Sequence, residues 1–516
     1  MIRRPTRVCS LIAVGLVATV RLWGGGIAAV AGQPTKASMT TSAVPEEFAG
    51  LRERWEQAMR DLDVPGLAVI VVRDDKVIYT ETLGVRDPQK NLPVTPDTIF
   101  YIASCTKSFV AMAVMTLVEE GKVDLDAPVK KYLPRFQIAD PNLTETLTVR
   151  DLLSHAKGLA SGPIVSLDAF SGEITEERFY RWLKEAKARG EFDYTNLHYT
   201  LAGRIVESVT GRSWKDFLEE RILKPAGMTR TTAYASRMYG DADSALPCAL
   251  DDGKLVPTRV RKTDRTMHAA GGLGASIKDL GQWLRLNLNR GSIDGRVVLS
   301  EDRTVEMWKP HAKLKSPMSR GARTREGYGF GWNVGPFHGT LMMEHGGGYV
   351  GTAALIAILP EQRIGVAVVA NASVPVTEIA MFDVCNRLLG LNPPDTLPNL
   401  KREAERRRQR QTDREKALAA SPLAADGLSL PIASYMGAYE SPDWGAVTFT
   451  AADGRLTARW GELSFRLQSS GKDQFLADSG TGDPDKCRFE VKDRRVEAVV
   501  ITVDDETKLE ARFIRK

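Results

Sequence analysis

A nearly continuous apolar stretch at residues 104–120 constrains the fold of this chain more than any other feature. Apolar side chains lie on every side of the helix that this stretch predicts, and Gly121 suits the position just after its C-terminus. A helix that is apolar all round is normally buried at the centre of a large domain. The chain has 516 residues, room for roughly two to four domains, so a core of that size can form.

Strand-like segments at both ends of residues 45–391 flank a region of predicted helices. Residues 66–72 and 76–84 predict a hairpin around Asp74-Asp75, and 352–359 and 364–370 predict a second strand pair. Helices are predicted near residues 176–189, 200–210, 214–223 and 277–288, the last with Ser276 and Asp279 as a capping box. This order predicts an α+β domain whose antiparallel sheet is completed by both of its ends.

The pattern changes after this domain. Residues 392–430 predict a linker with a charged, solvated helix at 401–420. Residues 431–516 predict a small all-β domain, a barrel or a sandwich, because short strands alternate there with turn signals. Its predicted strands are 446–450, 455–460, 464–468, 474–477, 488–492, 496–503 and 508–514.

The first 32 residues have the order of a secretory signal peptide. Arg3, Arg4 and Arg7 precede an apolar run at 11–20 and then Ala29-Val30-Ala31. That run is shorter than the roughly 20 residues that span a bilayer. We therefore expect residues 1–32 to be cleaved and the protein to be periplasmic or secreted, with no stable membrane span. The alternative is an uncleaved anchor at 11–32 that tolerates Arg21.

The distribution of charge excludes nucleic acid as an expected partner. The formal net charge is +5, of which residues 1–32 carry +4 and residues 401–416 another +4, so the rest sums to −3. Four of the five cysteines lie beyond residue 32, scattered and without a CxxC pair, and the six histidines form no HExxH motif. We expect no metal site and no cofactor.

Candidate chemistry begins with the motif S-x-x-K, which occurs at Ser104, Ser154 and Ser469. Only Ser104–Lys107 opens the apolar helix, where the i,i+3 spacing puts both side chains on one face. Burial would lower the pKa of Lys107 and let it accept a proton. The other two copies are expected in a short helix with a solvated Lys157 and in a turn of the β domain.

Two further segments carry suitable side chains. Tyr194 can act as a general base, and Asn196 can bind both an amide substrate and Lys107. His345 is followed by three glycines, of which Gly347 and Gly348 would let a substrate approach the backbone and an N–H point at an oxyanion. No G-x-S-x-G or Walker A motif occurs.

The ordered combination Ser-x-x-Lys, Tyr-x-Asn and His-x-Gly resembles the serine hydrolases related to class C β-lactamases, D-alanyl-D-alanine carboxypeptidases and β-lactamase-like esterases. Supporting stretches at 151–159, 270–273, 327–332 and 359–361 look like the same family. The resemblance covers roughly residues 48–391. It implies a β-lactamase/transpeptidase-like antiparallel sheet with a helical region, and the tail is similar to the lipocalin-like domain behind some of these hydrolases.

The resemblance implies that Ser104 attacks a carbonyl and forms an acyl-enzyme. Lys107 and Tyr194 would share the proton transfers, with the general base left open between them. Asn196 would orient the substrate, and the N–H groups of Ser104 and Gly348 would form the oxyanion hole.

The third motif departs from the family pattern. His345 stands where β-lactamases of this group usually carry Lys, which disfavours efficient β-lactamase activity. Cys105, beside the nucleophile, is expected in the core.

We therefore expect an exported serine hydrolase that cleaves a small-molecule or peptide substrate at an ester or amide. The alternatives are a penicillin-binding-like pseudoenzyme that holds peptide or peptidoglycan fragments without turnover, and a true β-lactamase. A further hypothesis makes the β domain a lipid or carbohydrate binder rather than a cover for one face of the main domain. The oligomeric state is left open.

Overall fold

A computed structural model describes residues 45–160, 162–251, 253–392, 395, 397–420, 427–452, 454–478, 484–504 and 509–516. The predicted signal peptide lies outside the described residues. None of the helices within these ranges is both long and apolar enough to cross a membrane.

The main domain is built around a nine-stranded antiparallel sheet with the order β11-β12-β13-β14-β15-β16-β1-β2-β3. Its strands are β1 Gly66–Arg73, β2 Lys76–Asp87, β3 Leu92–Pro93, β11 Ala312–Arg320, β12 Arg323–Tyr328, β13 Asn333–Phe337, β14 Thr340–Tyr349, β15 Thr352–Leu359 and β16 Ile364–Ala370. The first strand pairs with the last, Leu67 opposite Ala370, so both ends of the domain complete one sheet, as predicted.

Shorter strands lie between the two halves of the large sheet. They are β4 Ile99–Tyr101, β5 Thr231–Thr232, β6 Cys248–Asp251, β7 Lys254–Pro257, β8 Gly274–Ser276, β9 Ser292–Ile293 and β10 Arg296–Val297. Strands β4, β8 and β5 form a three-stranded sheet beside the nucleophile segment.

The helices lie on both faces of the large sheet. They are α1 Leu51–Leu62, α2 Thr106–Glu119, α3 Val129–Tyr132, α4 Pro141–Thr146, α5 Val149–Ser154, α6 Gly162–Val165, α7 Glu176–Lys184, α8 Asn196–Thr210, α9 Trp214–Leu218, α10 Ala235–Gly240, α11 Ile277–Leu288, α12 Glu301–Trp308, α13 Val376–Leu388 and α14 Leu397–Ala420. Two π-helical segments, Ser166–Ser171 and Glu219–Leu223, follow α6 and α9.

Strand β1 explains why the sheet is covered on both faces. Alternate side chains of a strand point to opposite sides. Ala68, Ile70 and Val72 join the core that contains α2, α8 and α11, whereas Leu67 and Val69 join the core beneath α1 and α13. A strand that is apolar on both faces requires a layer of helices on each side.

The apolar helix is α2, and every residue from Thr106 to Leu117 is buried, as its composition predicts. Gly121 has a φ of +68° just after the helix, the left-handed conformation that glycine adopts without strain. The helix therefore runs through the centre of the domain.

The C-terminal strands close into an eight-stranded barrel. They are β17 Gly437–Ser441, β18 Gly445–Ala452, β19 Arg455–Trp460, β20 Leu463–Gly471, β21 Gln474–Asp478, β22 Asp485–Lys492, β23 Arg495–Asp504 and β24 Leu509–Arg515. Its interior holds packed aromatic rings, with Phe489 in contact with Tyr435, Phe449 and Phe475. An eight-stranded barrel is either filled by side chains or holds one small ligand, and these packed rings favour a filled interior over the lipid-binder hypothesis.

The barrel docks on the main domain beside the helical region. Leu167 and Val260 of the main domain belong to the same apolar cluster as the barrel interior. The indole of Trp182 donates to the carbonyl of Asp443 at 3.1 Å, and the ring of Trp182 packs on Trp444. The barrel thus covers one face of the main domain.

Most predicted elements are present, with differences at their ends. The helix predicted near 176–189 ends at Lys184, and the one predicted at 200–210 begins at Asn196. Strand β17 was not among the predicted strands. Ser276 caps α11, but Asp279 completes no capping box because its carboxylate accepts from the N–H of Arg230 instead.

Candidate active site

Ser104 lies in a one-turn 3-10 segment, Ala103–Cys105, between strand β4 and helix α2. Ala103 has a φ of +44°, a left-handed conformation that costs a non-glycine residue about 1–2 kcal/mol. The hydroxyl of Thr106 fixes this turn because it donates to the carbonyl of Ala103 at 2.6 Å and accepts from the N–H of Leu273 at 3.1 Å. The strained turn presents Ser104 at the N-terminal end of the buried helix.

Lys107 is completely buried, one turn after Ser104. Its Nζ lies 3.1 Å from Ser104 Oγ, 2.8 Å from Asn196 Oδ1 and 2.8 Å from the carbonyl of Ala270. Burial lowers the pKa of Lys107 well below its ordinary value. The amide oxygens of Asn196 and Ala270 can only accept, so a neutral amine donates to both and turns its lone pair to the Ser104 hydroxyl.

The Tyr-x-Asn segment reaches the same point from another element. Asn196 is the first residue of α8, and Tyr194, two residues earlier, is 39% exposed. Lys107 Nζ lies 4.8 Å from the centroid of the Tyr194 ring. Partial burial raises the pKa of Tyr194, although a hydrogen bond with Ser104 and the charge of Arg325 lower it in part.

His345 is buried inside the third segment and does not project into the cleft. Its Nε2 lies 2.9 Å from the hydroxyl of Tyr328, and its Nδ1 lies 2.7 Å from the carbonyl of Gly346. Because a carbonyl only accepts, these partners assign the hydrogen to Nδ1. Burial lowers the pKa of His345 to about 3, so the ring is neutral at physiological pH.

The glycines after His345 form an open strand edge beside the nucleophile. Pairing of β13 with β14 ends at Asn333 opposite Glu344, so β13 does not cover the edge of β14 from His345 onward. A Cβ on Gly347 would lie 2.0 Å from the carbonyl oxygen of Ile102 and 3.2 Å from the N of Ser104. Glycine at 347 is thus what allows β14 to lie against the nucleophile turn.

The structure brings together six of the seven residues that the sequence singles out, namely Ser104, Lys107, Tyr194, Asn196, His345 and Gly347, and Gly348 follows Gly347 on β14. Their roles in catalysis and binding remain predictions. The second S-x-x-K copy is far less enclosed at its lysine, and Lys157 is not simply solvated, because its Nζ pairs with Asp151 Oδ2 at 3.1 Å. Cys105 is buried as predicted, with Sγ donating to the carbonyl of His345 at 3.1 Å.

Sequence reasoning missed three residues around this cluster. Arg325, on β12, is 25% exposed, and its Nε donates to the buried carboxylate of Glu344. His155 and His198 are both buried, and their Nδ1 atoms lie 2.8 Å apart. The motif around His155 was the only available signal, because none of these residues is near Ser104 in sequence.

No group of three or more His, Cys, Asp or Glu side chains that could hold a metal ion is found in the described part of the chain. The cluster around Ser104 is instead a set of proton donors and acceptors on one nucleophile. A hydroxyl, a buried amine and a phenol at these distances can form and hydrolyse an acyl ester.

A serine in the turn before a buried helix, with a lysine one turn later and a glycine-rich strand beside it, is the arrangement of the β-lactamase/transpeptidase fold. The sequence profile of the Beta-lactamase family matches residues 51–384, and the chain belongs to that family.

Several relatives are similar to this chain. Protein flp of Staphylococcus aureus (strain MW2) is 27% identical over 314 residues, which cover 60% of each chain, so the alignment spans 60% of that relative's length. Penicillin-binding protein 4 of Amycolatopsis lactamdurans is 28% identical over 67% of this chain and 91% of its own. The octameric penicillin-binding protein homologue from Pyrococcus abyssi has a TM-score of 0.57 and 27% identity, over 90% of this chain and 99% of its own.

Proposed function

We propose that the protein is an exported serine hydrolase that cleaves an ester or amide through an acyl-enzyme on Ser104. The observation that carries this proposal is the buried Lys107 amine, held 3.1 Å from Ser104 Oγ by two groups that only accept hydrogen bonds. A buried ammonium with no carboxylate partner would be costly, whereas a neutral amine is a competent base.

In the proposed acylation, Lys107 takes the hydroxyl proton of Ser104 while Oγ bonds to the substrate carbonyl carbon. The carbonyl oxygen becomes an oxyanion, which the N–H groups of Ser104 and Gly348 would stabilise. Removal of one such donor typically costs about 2.7–4 kcal/mol. The close contact of Gly347 with the nucleophile turn supports this arrangement, because it sets the distance between the two N–H groups.

Tyr194 would then protonate the leaving group. Its raised pKa favours the phenol over the phenolate, so we assign the base role to Lys107 and the acid role to Tyr194. As the bond to the leaving group breaks, the phenol gives its proton to the departing oxygen or nitrogen. The Lys107 ammonium, whose nitrogen lies 4.8 Å from the Tyr194 ring, returns a proton to the phenolate.

Deacylation would repeat these steps with water in place of the leaving group. Lys107 removes the proton of the attacking water, and Tyr194 gives its proton to Ser104 Oγ as the ester bond breaks; the Lys107 ammonium then returns a proton to the phenolate. Asn196 would hold the substrate amide through its NH₂ group while its Oδ1 accepts from Lys107. The whole reaction consumes one water molecule and uses the side chains and backbone N–H groups already described.

We propose that the protein cleaves esters or peptides faster than it hydrolyses β-lactams. The ring of His345 is neutral and turned toward Tyr328, so it offers no charge to a β-lactam carboxylate. A panel of p-nitrophenyl esters, D-amino-acid amides and nitrocefin ranks these substrates. Nitrocefin turnover above that of the esters would favour a true β-lactamase instead.

A fluorophosphonate probe followed by intact mass separates the hydrolase from a binding pseudoenzyme. The expected result is one covalent adduct on the wild type, none on Ser104→Ala, and a normal adduct on Ser154→Ala. Ser154 is a matched control because it begins the second S-x-x-K copy and its hydroxyl donates only to the carbonyl of Arg150. Folded wild-type protein without an adduct would refute the proposal.

Export is proposed from residues 1–32 alone, whose basic, apolar and small-residue order is typical of a signal peptide. Expression of the full chain in a bacterial host, with mass measurement of the periplasmic fraction, tests it. The expected product begins between residues 31 and 34. Full-length protein in the membrane fraction would support the uncleaved anchor.

A further inference from the structure

The backbone around Tyr194 has no regular secondary structure, and His155 bonds to it on both sides. The N–H of Asp193 donates to the carbonyl of His155 at 3.2 Å, and the N–H of Thr195 donates to the His155 Nδ1 at 3.5 Å. His155 therefore accepts from the backbone N–H groups of both residues that flank the tyrosine. The imidazole also packs on the tyrosine, with ring centroids 4.7 Å apart.

His155 keeps a strained conformation to make these bonds. It follows α5 with a φ of +57° and is completely buried. A left-handed conformation costs a residue other than glycine about 1–2 kcal/mol and persists where the surrounding structure requires it. Here the conformation turns both the carbonyl and the ring of His155 toward the Tyr194 segment.

A second histidine fixes the ring of the first. His198 Nδ1 lies 2.8 Å from His155 Nδ1, so only one hydrogen can lie between them. Because His155 Nδ1 also accepts from Thr195, the hydrogen belongs to His198, which donates it. Burial lowers the pKa of both rings, that of His198 to about 3, so the pair stays neutral at physiological pH.

This pair connects the two halves of the Tyr-x-Asn segment. His198 is on α8, two residues after Asn196, which accepts from Lys107. The His155 ring also packs on Tyr328, whose hydroxyl reaches His345. Tyr194, Asn196 and the segment that begins with His345 are therefore all linked through the buried His155–His198 pair.

We propose that His155, oriented by the hydrogen of His198, is the positioning residue that holds the Tyr194 hydroxyl against Ser104. The inference rests on the proposed function, because it assigns Tyr194 a proton-transfer role. His155 touches no reacting atom, so its effect must pass through the tyrosine.

The test is a double-mutant cycle on kcat for a p-nitrophenyl ester. His155→Leu removes the acceptor and is expected to lower kcat by about 100-fold with little change in KM, the usual effect of misplacing a catalytic group by about 1 Å. His155→Asn is expected to stay within about tenfold of the wild type, because asparagine tolerates the left-handed conformation and its Oδ1 accepts where Nδ1 did.

The cycle is completed in a Tyr194→Phe background. If His155 acts through Tyr194, His155→Leu adds no further loss there. His338→Leu is the matched control, since His338 is also left-handed, with φ +48°, but bonds to Asn386 on the far side of the sheet. It is expected to lower the melting temperature without changing kcat.

The outcomes are distinct from those of the proposed function. Wild-type protein that fails to react with the fluorophosphonate refutes the hydrolase itself. An active wild type in which His155→Leu and Tyr194→Phe losses multiply refutes the positioning role. If His155→Leu does not fold, His198→Leu in both backgrounds makes the same comparison, and an unchanged kcat for it would overturn the proposal.

Discussion

Gly347→Ala is the sharpest perturbation of the proposed oxyanion hole, because it adds one methyl group where two backbone segments meet. The new Cβ would lie 2.0 Å from the carbonyl oxygen of Ile102 and 3.2 Å from the N of Ser104. Neither neighbour is a flexible side chain that could rotate away. Strand β14 must therefore retreat from the nucleophile turn, or the turn must deform.

The size of that shift follows from ordinary contact distances. A carbon–oxygen contact of about 3.3–3.6 Å requires a retreat of about 1.3–1.6 Å. Misplacement by about 1 Å costs about 100-fold in rate, or about 2.7 kcal/mol. Loss of one oxyanion donor costs a similar amount. We expect kcat/KM for a p-nitrophenyl ester to fall by at least about 100-fold.

Gly346→Ala is the matched control, since it places the same methyl group one residue earlier on the same strand. A Cβ there would lie 3.9 Å from its nearest neighbours, an ordinary contact, and Gly347 and Gly348 are left unchanged. This variant should keep kcat/KM within about threefold, as surface substitutions away from tight contacts usually change free energies by less than about 0.5 kcal/mol. Melting temperatures of both variants separate a local displacement from unfolding.

The reasoning would be refuted if folded Gly347→Ala kept near wild-type kcat/KM. It would also be refuted if Gly346→Ala lost as much activity as Gly347→Ala. In either case the close approach of Gly347 would not set the position of the oxyanion donors.

Three other perturbations follow from the structure. Because only the free amine of Lys107 accepts a proton and burial lowers its pKa, kcat/KM should rise with pH through that lowered pKa, then fall only where Tyr194, with its raised pKa, ionises; a pH–rate profile that falls as pH rises through neutrality would contradict this. Arg325→Gln should raise KM by about tenfold or more for esters with a carboxylate near the scissile bond and leave KM for neutral esters unchanged. Arg320→Gln should change neither KM, because Arg320 belongs to the same ion network but its side chain is 52% exposed. Deletion of residues 421–516 should lower the melting temperature measured by calorimetry, since it exposes apolar side chains of the main domain that pack against the barrel; an unchanged melting temperature would show that the two parts are independent.

The pattern of apolar residues predicted the elements correctly where a whole strand or one helix face is buried. The ends of β15, β16 and α11 match the predicted residues because each is bounded by a turn or a cap visible in sequence. The helix predicted near 176–189 is longer than the observed one, which ends at Lys184, because the residues after Lys184 are also helix-forming. In the structure the chain turns there and approaches Leu159. Strand β17 was missed because its five residues include Gly437 and a terminal Ser441 and lack an alternating pattern.

The choice among three S-x-x-K copies could be predicted because it depends on local burial. Only the copy at Ser104 opens an apolar helix, and in the structure Lys107 is fully buried whereas the side chain of Lys157 is 43% exposed. The positioning pair could not be predicted in the same way. His155 and His198 are 43 residues apart, and their contact depends on how α5 packs on α8.

The location of positive charge near Ser104 also depends on how distant parts of the chain pack, so it could not be predicted from sequence. For this reason the family motifs indicate the type of reaction more clearly than they indicate the substrate. His345 is neutral at the motif position, and the buried Lys107 favours its neutral form, so neither offers a permanent charge. The guanidinium of Arg325 is always charged, it lies close enough for its charge to lower the pKa of Tyr194 in part, and it pairs with Glu344 through Nε alone. No other described residue accepts from its two terminal nitrogens. Since a guanidinium can bind a carboxylate through two parallel N–H groups, discrimination between charged and neutral substrates would depend on a residue outside all three motifs.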